Sequence, residues 1–365
     1  MSTYKVLIIQ PSVPVYRIDF FQRIADDPCI ELSVYHGVML GGIDEPSILS
    51  NKWSVPKCDV FKIGPFFWQR NILNLDVSKF DVIVVSGNLR FLTSILIFLK
   101  SILFRKKVVW WSHYRSKKFF VSYFLRYLFY RFSSALLFYT EEEKSLALIE
   151  VNPKNKSIFA LNNGVSSHAI RKLVTDLESR ILDRNQLNIL FIGRITPKSN
   201  FSLLIEAISE LKDRMNVRVH VIGDSGESKV RYLYAKSINH LFIWHGIITD
   251  ESEIAKVANI CNLLVYPGDV GLSLLHGFSY GLPALIHDDF DKHMPEHAAF
   301  ENNINGFLFE YGNSSSLSNC IHKYSKLSDS EKLFLMKNAL ETVSNSYNTK
   351  DMYLRFMNLI TSLKG

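Results

Sequence analysis

A chain of 365 residues, 47% hydrophobic and 21% charged, exceeds one ordinary core and fits two domains of roughly 150–200 residues each. Its mean hydropathy of +0.07 and the lack of a run of roughly 18–20 apolar residues, as a spanning helix needs, exclude a polytopic membrane protein. A formal charge of +7 is compatible with nucleic acid, anionic lipid or phosphate-bearing substrates and does not choose among them.

The first residues carry neither the charged start nor the long apolar run of a signal peptide and read as a strand over Val6–Ile9. Further short, continuously apolar runs follow at Leu32–Tyr35, Val82–Val85, Val108–Trp111 and Ala135–Phe138. Such runs are typical of parallel strands covered on both faces. Helix-length stretches separate them, and the β-α alternation predicts a doubly wound parallel sheet. After a polar segment at 166–186, read as a linker, the rhythm restarts at Ile189–Ile192. It continues through Val219–Ile222, Leu241–Trp244, Leu263–Tyr266 and Ala284–Ile286. The predicted organisation is therefore α/β: a Rossmann-like domain over 1–165, the linker, and a second Rossmann-like domain over 187–348, facing the first across a cleft. A last helix over 349–365 is expected to return to the first domain. The four cysteines, Cys29, Cys58, Cys261 and Cys320, lie far apart without a CxxC pair. That spacing argues against zinc or disulfides and suits a reducing cytoplasm.

Ligands of open α/β sheets bind beyond the carboxyl ends of the strands, so the loops there are the candidate site. The stretch Gly193-Arg194-Ile195-Thr196-Pro197-Lys198 places two cations directly after a strand, and Ser199 or Asn200 can cap the following helix. A guanidinium fork and an ammonium at that point suit a diphosphate, although solvated loop cations are equally common. A second loop, Tyr266-Pro267-Gly268-Asp269-Val270-Gly271, runs into a helix that begins near Gly271. The N–H groups at such a helix start, those of Leu272 and Ser273 among them, favour an anion.

Together these loops resemble the donor site of the GT-B glycosyltransferases of family 4, with their G-R-x-x-x-x-K loop and later E-x7-E helix start. The spacing between Arg194 and Lys198 is one residue shorter here. Asn162-Asn163-Gly164-Val165, Pro295-Glu296 and Asn305-Gly306 resemble further family elements. The resemblance implies a GT-B fold and transfer of a sugar, with retention, from a nucleotide sugar. Arg194 and Lys198 would bind the diphosphate and belong to the catalytic group together with His113, at the end of Trp110-Trp111-Ser112-His113. Gly193, Asn163, Asp269, Gly271, Leu272, Ser273, His276 and Glu296 would line the donor. Aligned on Gly281-Leu282-Pro283, the two family glutamates fall on Gly268 and His276, so the sugar end departs from the pattern. A histidine can still bond a ribose hydroxyl, the second glutamate's part in the family, and Asp269 neighbours the first position. Tyr16, Arg17, Asn88 and Arg90, at other strand ends, are acceptor-side candidates, with capping as the plain role of Asn88.

The cluster His287-Asp288-Asp289-Phe290-Asp291-Lys292-His293 admits a metal reading through D-x-D. Lys292 inside it and the GT-B rhythm disfavour that reading, so no cofactor or essential metal is expected beyond the nucleotide-sugar co-substrate. Leu89–Lys107 and Tyr114–Phe132 are aromatic and basic, either core helices or a face for anionic lipid headgroups. Nucleic acid fits them poorly, because no strand platform offers base stacking. The expected partners are a nucleotide sugar, a glycan or polyprenyl-diphosphate-linked acceptor and an anionic membrane surface. The expected place is the cytoplasm, peripheral on the inner face of the membrane, in bacterial surface polysaccharide (lipopolysaccharide or capsule) synthesis. An epimerase lacks its carboxylate set here. A catalytically inactive donor-binding scaffold subunit is the alternative that the missing glutamates motivate.

Overall fold

The computed structural model describes residues 3–37, 51–54, 59–114, 120–150, 156–181, 186–224 and 238–364. The chain forms two compact units, one of Met1–Asn163 with Thr349–Gly365 and the other of Gly164–Asn348.

In the first unit, β1 (Tyr4–Gln10), β2 (Ile30–His36), β5 (Val82–Ser86), β6 (Lys107–Trp111), β7 (Ala135–Phe138) and β8 (Ser157–Ala160) form one parallel sheet. The order is β2-β1-β5-β6-β7-β8, and a small antiparallel hairpin of β3 (Val60–Ile63) and β4 (Phe66–Gln69) is added. The period-2 alternation of a strand divides the core. Val6 and Ile8 join Phe20, Trp111 and Phe356 on one face, while Leu7 and Ile9 join Ile97, Phe98 and Trp110 on the other. The helix Thr349–Leu363 belongs to this unit. Met352, Phe356, Leu359, Ile360 and Leu363 recur at helical spacing into the core, and Tyr353 donates to Asp27 at 2.7 Å. The strand β8 and the hairpin escape the sequence reading because Ser157–Ala160 is short and Phe61, Ile63 and Phe66 are exposed.

In the second unit, β9 (Leu187–Ile192), β10 (Val217–Ile222), β11 (Phe242–Gly246), β12 (Leu263–Val265), β13 (Ala284–His287) and β14 (Gly306–Phe309) form another parallel sheet. Its order is β11-β10-β9-β12-β13-β14. Chain order reverses direction between β9 and β12, which makes the crevice beyond their carboxyl ends the expected ligand position of this topology.

The segment read as a linker differs from expectation. It carries the helices Ser167–Arg171 and Leu177–Ile181 and belongs to the second unit. Its polarity misleads because Arg180 is buried rather than solvated. Arg180 donates to the Tyr280 carbonyl at 2.7 Å, to Thr175 Oγ1 at 3.2 Å and to Asn259 Oδ1. Burial lowers its pKa to about 10, still far above neutrality, so the guanidinium remains charged. Residues 182–185 of that segment, and Cys58, lie outside the described residues.

Candidate functional site

The β9 and β12 loops meet by backbone approach. Gly193, with φ +146°, donates its N–H to the Ile222 carbonyl at 2.9 Å. A Cβ on it would stand 3.1 Å from Ser273 Oγ and 3.3 Å from the Tyr266 ring. Glycine at 193 thus lets the loop after β9 lie against the start of the helix Leu272–Ser279. One step further, the Lys198 carbonyl accepts the Asp269 N–H at 2.8 Å, and Gly268 sits over the Lys198–Ser199 peptide. Gly193, Lys198, Asp269 and Ser273 are thereby drawn together.

Arg194 and Lys198 are exposed, and neither makes an ion pair among the described residues. Their positive charge is left for a ligand. Lys198 stands on a single tight turn, Pro197–Ser199, closed by Thr196 N–H to Ser199 Oγ at 3.0 Å and Ser199 Oγ–H to the Thr196 carbonyl at 2.8 Å. This overturns the expected cap, since neither side chain caps the helix Phe201–Leu211. Ser199 is consumed in the turn, and Asn200 instead supplies a left-handed residue, φ +46°. Asparagine tolerates that conformation better than most residues. The Tyr266 phenol titrates high, chiefly through burial and then through the Asp269 carboxylate, with Arg194 acting in the opposite direction. Both charges therefore act on the same ring.

Gly271 is the N-cap of the helix Leu272–Ser279. The first N–H groups of a helix have no intrahelical partner, which leaves those of Leu272 and Ser273 as donors at this end. A Cβ on Gly271 would stand 3.5 Å from Glu296 Oε2, so the buried Glu296 brings an acceptor to the same point. The loop is held by His293, which sequence reasoning treated only as part of a metal cluster. Its Nδ1 accepts the Val270 N–H at 3.0 Å and its Nε2 donates to the His287 carbonyl at 3.0 Å, while the Met294 N–H reaches the Val270 carbonyl at 2.9 Å. Both ring nitrogens are committed in the neutral form, and burial lowers the pKa of His293. Of the two D-x-D carboxylates, Asp289 pairs with Lys292 at 3.2 Å, and Lys292 lies over the Tyr311 ring. Among the described residues no group of three or more His, Cys, Asp or Glu side chains is arranged to hold a metal ion.

His276, one turn beyond Ser273, meets Glu251 Oε2 at 3.1 Å, and the Tyr280 hydroxyl donates to the same oxygen at 2.6 Å. Burial raises the Glu251 pKa, but the bonds from His276 and Tyr280 outweigh it and hold the carboxyl below its ordinary value. The Tyr280 phenol is pushed up by burial and by the same carboxylate.

The remaining candidates stand in the first unit. His113 is stacked on Tyr139 at 4.1 Å, and its Nδ1 lies 3.4 Å from Glu143 Oε1. Glu143 is itself fixed by the N–H groups of Tyr114 at 3.1 Å and Tyr139 at 3.0 Å. No sequence signal separates Glu143 from Glu141 and Glu142, its neighbours at the helix start. Arg17 is buried rather than displayed, with its guanidinium over Trp111 and Tyr139 and a bond to Gln10 at 3.3 Å, and Tyr16 beside it is half-buried. Asn88 is exposed and shapes a turn by accepting the Arg90 N–H at 3.1 Å; Arg90 donates to the Pro65 carbonyl and lies over Phe67. Asn163 is buried at the end of the first unit and donates its N–H to the Tyr139 carbonyl at 3.0 Å.

Residues 175–339 match the family model described as glycosyl transferases group 1. The segment is a group 1 glycosyl transferase domain. It contains Arg194, Lys198 and both glycine-bearing loops. Glycogen synthase from Hydrogenovibrio crunogenus is 26% identical over 174 residues, covering 43% of this chain and 35% of that protein. The chain thus spans about a third of that relative. A glycosyltransferase from Rickettsia africae superposes with a TM-score of 0.74 at 15% identity, over 100% of this chain and 99% of that one. The Anabaena protein Alr3699/HepE, solved in complex with UDP, gives 0.72 at 16% identity, over 99% and 100%. The two six-stranded parallel sheets with their helices are thus those of the GT-B fold, which the group 1 domain shares with these neighbours.

Proposed function

We propose that the chain is a retaining glycosyltransferase that moves a sugar from a nucleoside-diphosphate sugar to a glycan or polyprenyl-diphosphate-linked acceptor in bacterial surface polysaccharide synthesis. The observation that carries this reading is Arg194 and Lys198 on the β9 loop, exposed and without an ion pair among the described residues, on a loop locked by backbone contact to the β12 loop and the helix start at Gly271. When the bond from the anomeric carbon to the β-phosphate oxygen breaks, negative charge grows on the diphosphate. A planar guanidinium, an ammonium and the helix N–H groups meet that charge without reorganisation. The UDP bound by the Anabaena neighbour supports a nucleoside diphosphate as the leaving group. With two cations in place, the reaction needs no essential metal and no further cofactor.

The acceptor side is proposed to lie at the inner face of the cytoplasmic membrane. On the helix Leu92–Leu103, Leu96, Leu99 and Leu103 are exposed on one stripe, Phe104 continues it, and Phe132 is exposed beside Arg131. An apolar stripe followed directly by Arg105 suits anionic headgroups. Residues 115–119, the most basic part of the second stretch, lie outside the described residues. Among the described residues no helix is long and apolar enough to cross a membrane. Nucleic acid has no part in this reading.

The second reading, an inactive donor-binding subunit, draws on Gly268, where the Lys198 backbone leaves no room for a carboxylate. Nucleotide release from UDP-, GDP-, dTDP- and CMP-sugars, with and without membrane extract, separates the two. Turnover that disappears in the Arg194→Ala, Lys198→Ala double variant supports transfer, whereas turnover unchanged in it sinks the site assignment. Binding without turnover under every condition favours the scaffold. Failure to sediment with vesicles containing anionic lipid counts against the membrane surface.

A further inference from the structure

Gly268 and His276 leave the helix Leu272–Ser279 without a carboxylate of its own, yet one reaches its face from the neighbouring helix Glu251–Ala258. Asp250 caps that neighbour, its Oδ1 accepting the N–H groups of Ser252 at 2.9 Å and Glu253 at 3.1 Å. Glu251 is therefore not needed at the helix end and turns across to His276 and Tyr280. Both of these contact the same oxygen, Oε2, at 3.1 Å and 2.6 Å. The other oxygen, Oε1, accepts no hydrogen bond among the described residues, and the Glu251 side chain is 42% exposed.

We infer that Glu251, steered by His276 and Tyr280, is the carboxylate that accepts hydrogen bonds from the vicinal hydroxyls of the donor ribose. The inference rests on the reading of the Gly193–Lys198 loop as the diphosphate site. A Cβ on Gly193 in that loop would stand 3.1 Å from Ser273 Oγ, and His276 and Tyr280 follow Ser273 at i+3 and i+7 on the same helix face. They lie about 4.5 and 10 Å along the helix axis from Ser273, within reach of a sugar attached to the α-phosphate. A diol offers two O–H donors, and an ionised carboxylate with an open oxygen is a strong acceptor for them. Carboxylates fill this part in other doubly wound nucleotide sites. Two fixed donors on Oε2 hold the side chain in one rotamer, so little rotamer freedom is left to lose on binding. His276, giving its Nε2 proton to Glu251, keeps Nδ1 as a second acceptor, which has no partner among the described residues.

The test compares UDP, GDP and ADP with their 2′-deoxy counterparts by titration calorimetry, on the full chain and on Glu251→Ala and Glu251→Gln. The expected result is a preference for the ribose form of about tenfold to hundredfold, the size of a hydrogen bond to a charged group. Both variants should lose it with deoxynucleotide affinity unchanged, and Glu251→Gln, whose amide oxygen still accepts the Tyr280 hydroxyl, should keep the parent's melting temperature. A preference that survives both substitutions overturns the inference, as does a parent protein that binds both sugars equally. Binding unaffected by the Arg194→Ala, Lys198→Ala double variant overturns the diphosphate reading instead, so the two failures are distinguishable.

Discussion

The peptide backbone at Gly268 lies so close to that of Lys198 that a Cβ at 268 would stand 2.0 Å from the Lys198 carbonyl oxygen. The same carbonyl accepts the Asp269 N–H, so the β9 and β12 loops are zipped together where the family pattern places a glutamate. Gly268→Glu is therefore expected to impair the site rather than restore it. Gly268→Ala, with the smallest possible side chain, should cost about 1–3 kcal/mol through overpacking. It should also weaken nucleoside-diphosphate binding, because Lys198 is displaced with its backbone. Urea denaturation and calorimetric titration of the two variants check this. A Gly268→Glu protein with unchanged stability and tighter binding would contradict the backbone contact.

Arg180 tells against its surroundings in the sequence in a similar way. Its side chain closes the carbonyl end of the helix Leu272–Ser279 through the Tyr280 oxygen, which anchors the segment after the first unit to the group 1 domain. Arg180→Met should leave that buried oxygen without a donor and cost about 1–3 kcal/mol. Nucleotide affinity should fall far less, since the helix start at Gly271 is held independently by His293. Melting curves read beside binding titrations test this split.

Strand β9 was legible because Ile189–Ile192 is continuously apolar, and Arg194 and Lys198 became candidates because two cations follow that strand end, where the structure leaves both exposed. What escaped the sequence is held by partners distant along the chain. Arg180 looked solvated because Tyr280, a hundred residues away, is its acceptor. Glu251 is one acid among Asp250, Glu251 and Glu253, and only the structure puts His276 beside it. Glu143 sits in an acidic triplet of which any member could cap a helix. Arg17 was placed among displayed loop residues, but the aromatic faces of Trp111 and Tyr139 take it inside. Strand patterns and loop cations are properties of neighbours in sequence; orienting carboxylates and buried cations are not.

Glu143 stands 3.4 Å from His113 Nδ1, which favours the tautomer with the proton on Nδ1 and leaves Nε2 basic. In the transfer reaction proposed above, His113→Ala should lower kcat by about a hundredfold or more, in the range of general acid–base groups. Glu143→Gln should give a smaller part of that loss, about tenfold, together with an altered pH profile of kcat. Because Glu143 also accepts two backbone N–H groups, its variant should melt lower, whereas His113→Ala should not. Equal kcat in parent and Glu143→Gln across the pH range would rule out an orienting part for this carboxylate.

Acid should destabilise the protein through three histidines buried in neutral form. His220, beside His245, and His287, stacked on His293, are both lowered to about 4, mainly by burial, and His293 is lowered too. In the unfolded chain each titrates near 6.5. Above that value neither state binds the proton, and the full stability is present. As pH falls from about 6.5 toward 4, the unfolded chain takes up protons that the folded one refuses. Stability then declines by at most about 1.4 kcal/mol per pH unit for each such group. Urea midpoints measured from pH 7.5 to 5 should fall on this slope, and His220→Gln should flatten it by one proton. The nucleotide site of the folded protein should hold over that interval and weaken only below the lowered pKa of His293, where the protonated ring can no longer accept the Val270 N–H that holds the loop before Gly271. Midpoints that stay level down to pH 5 would mean that these rings are not held neutral.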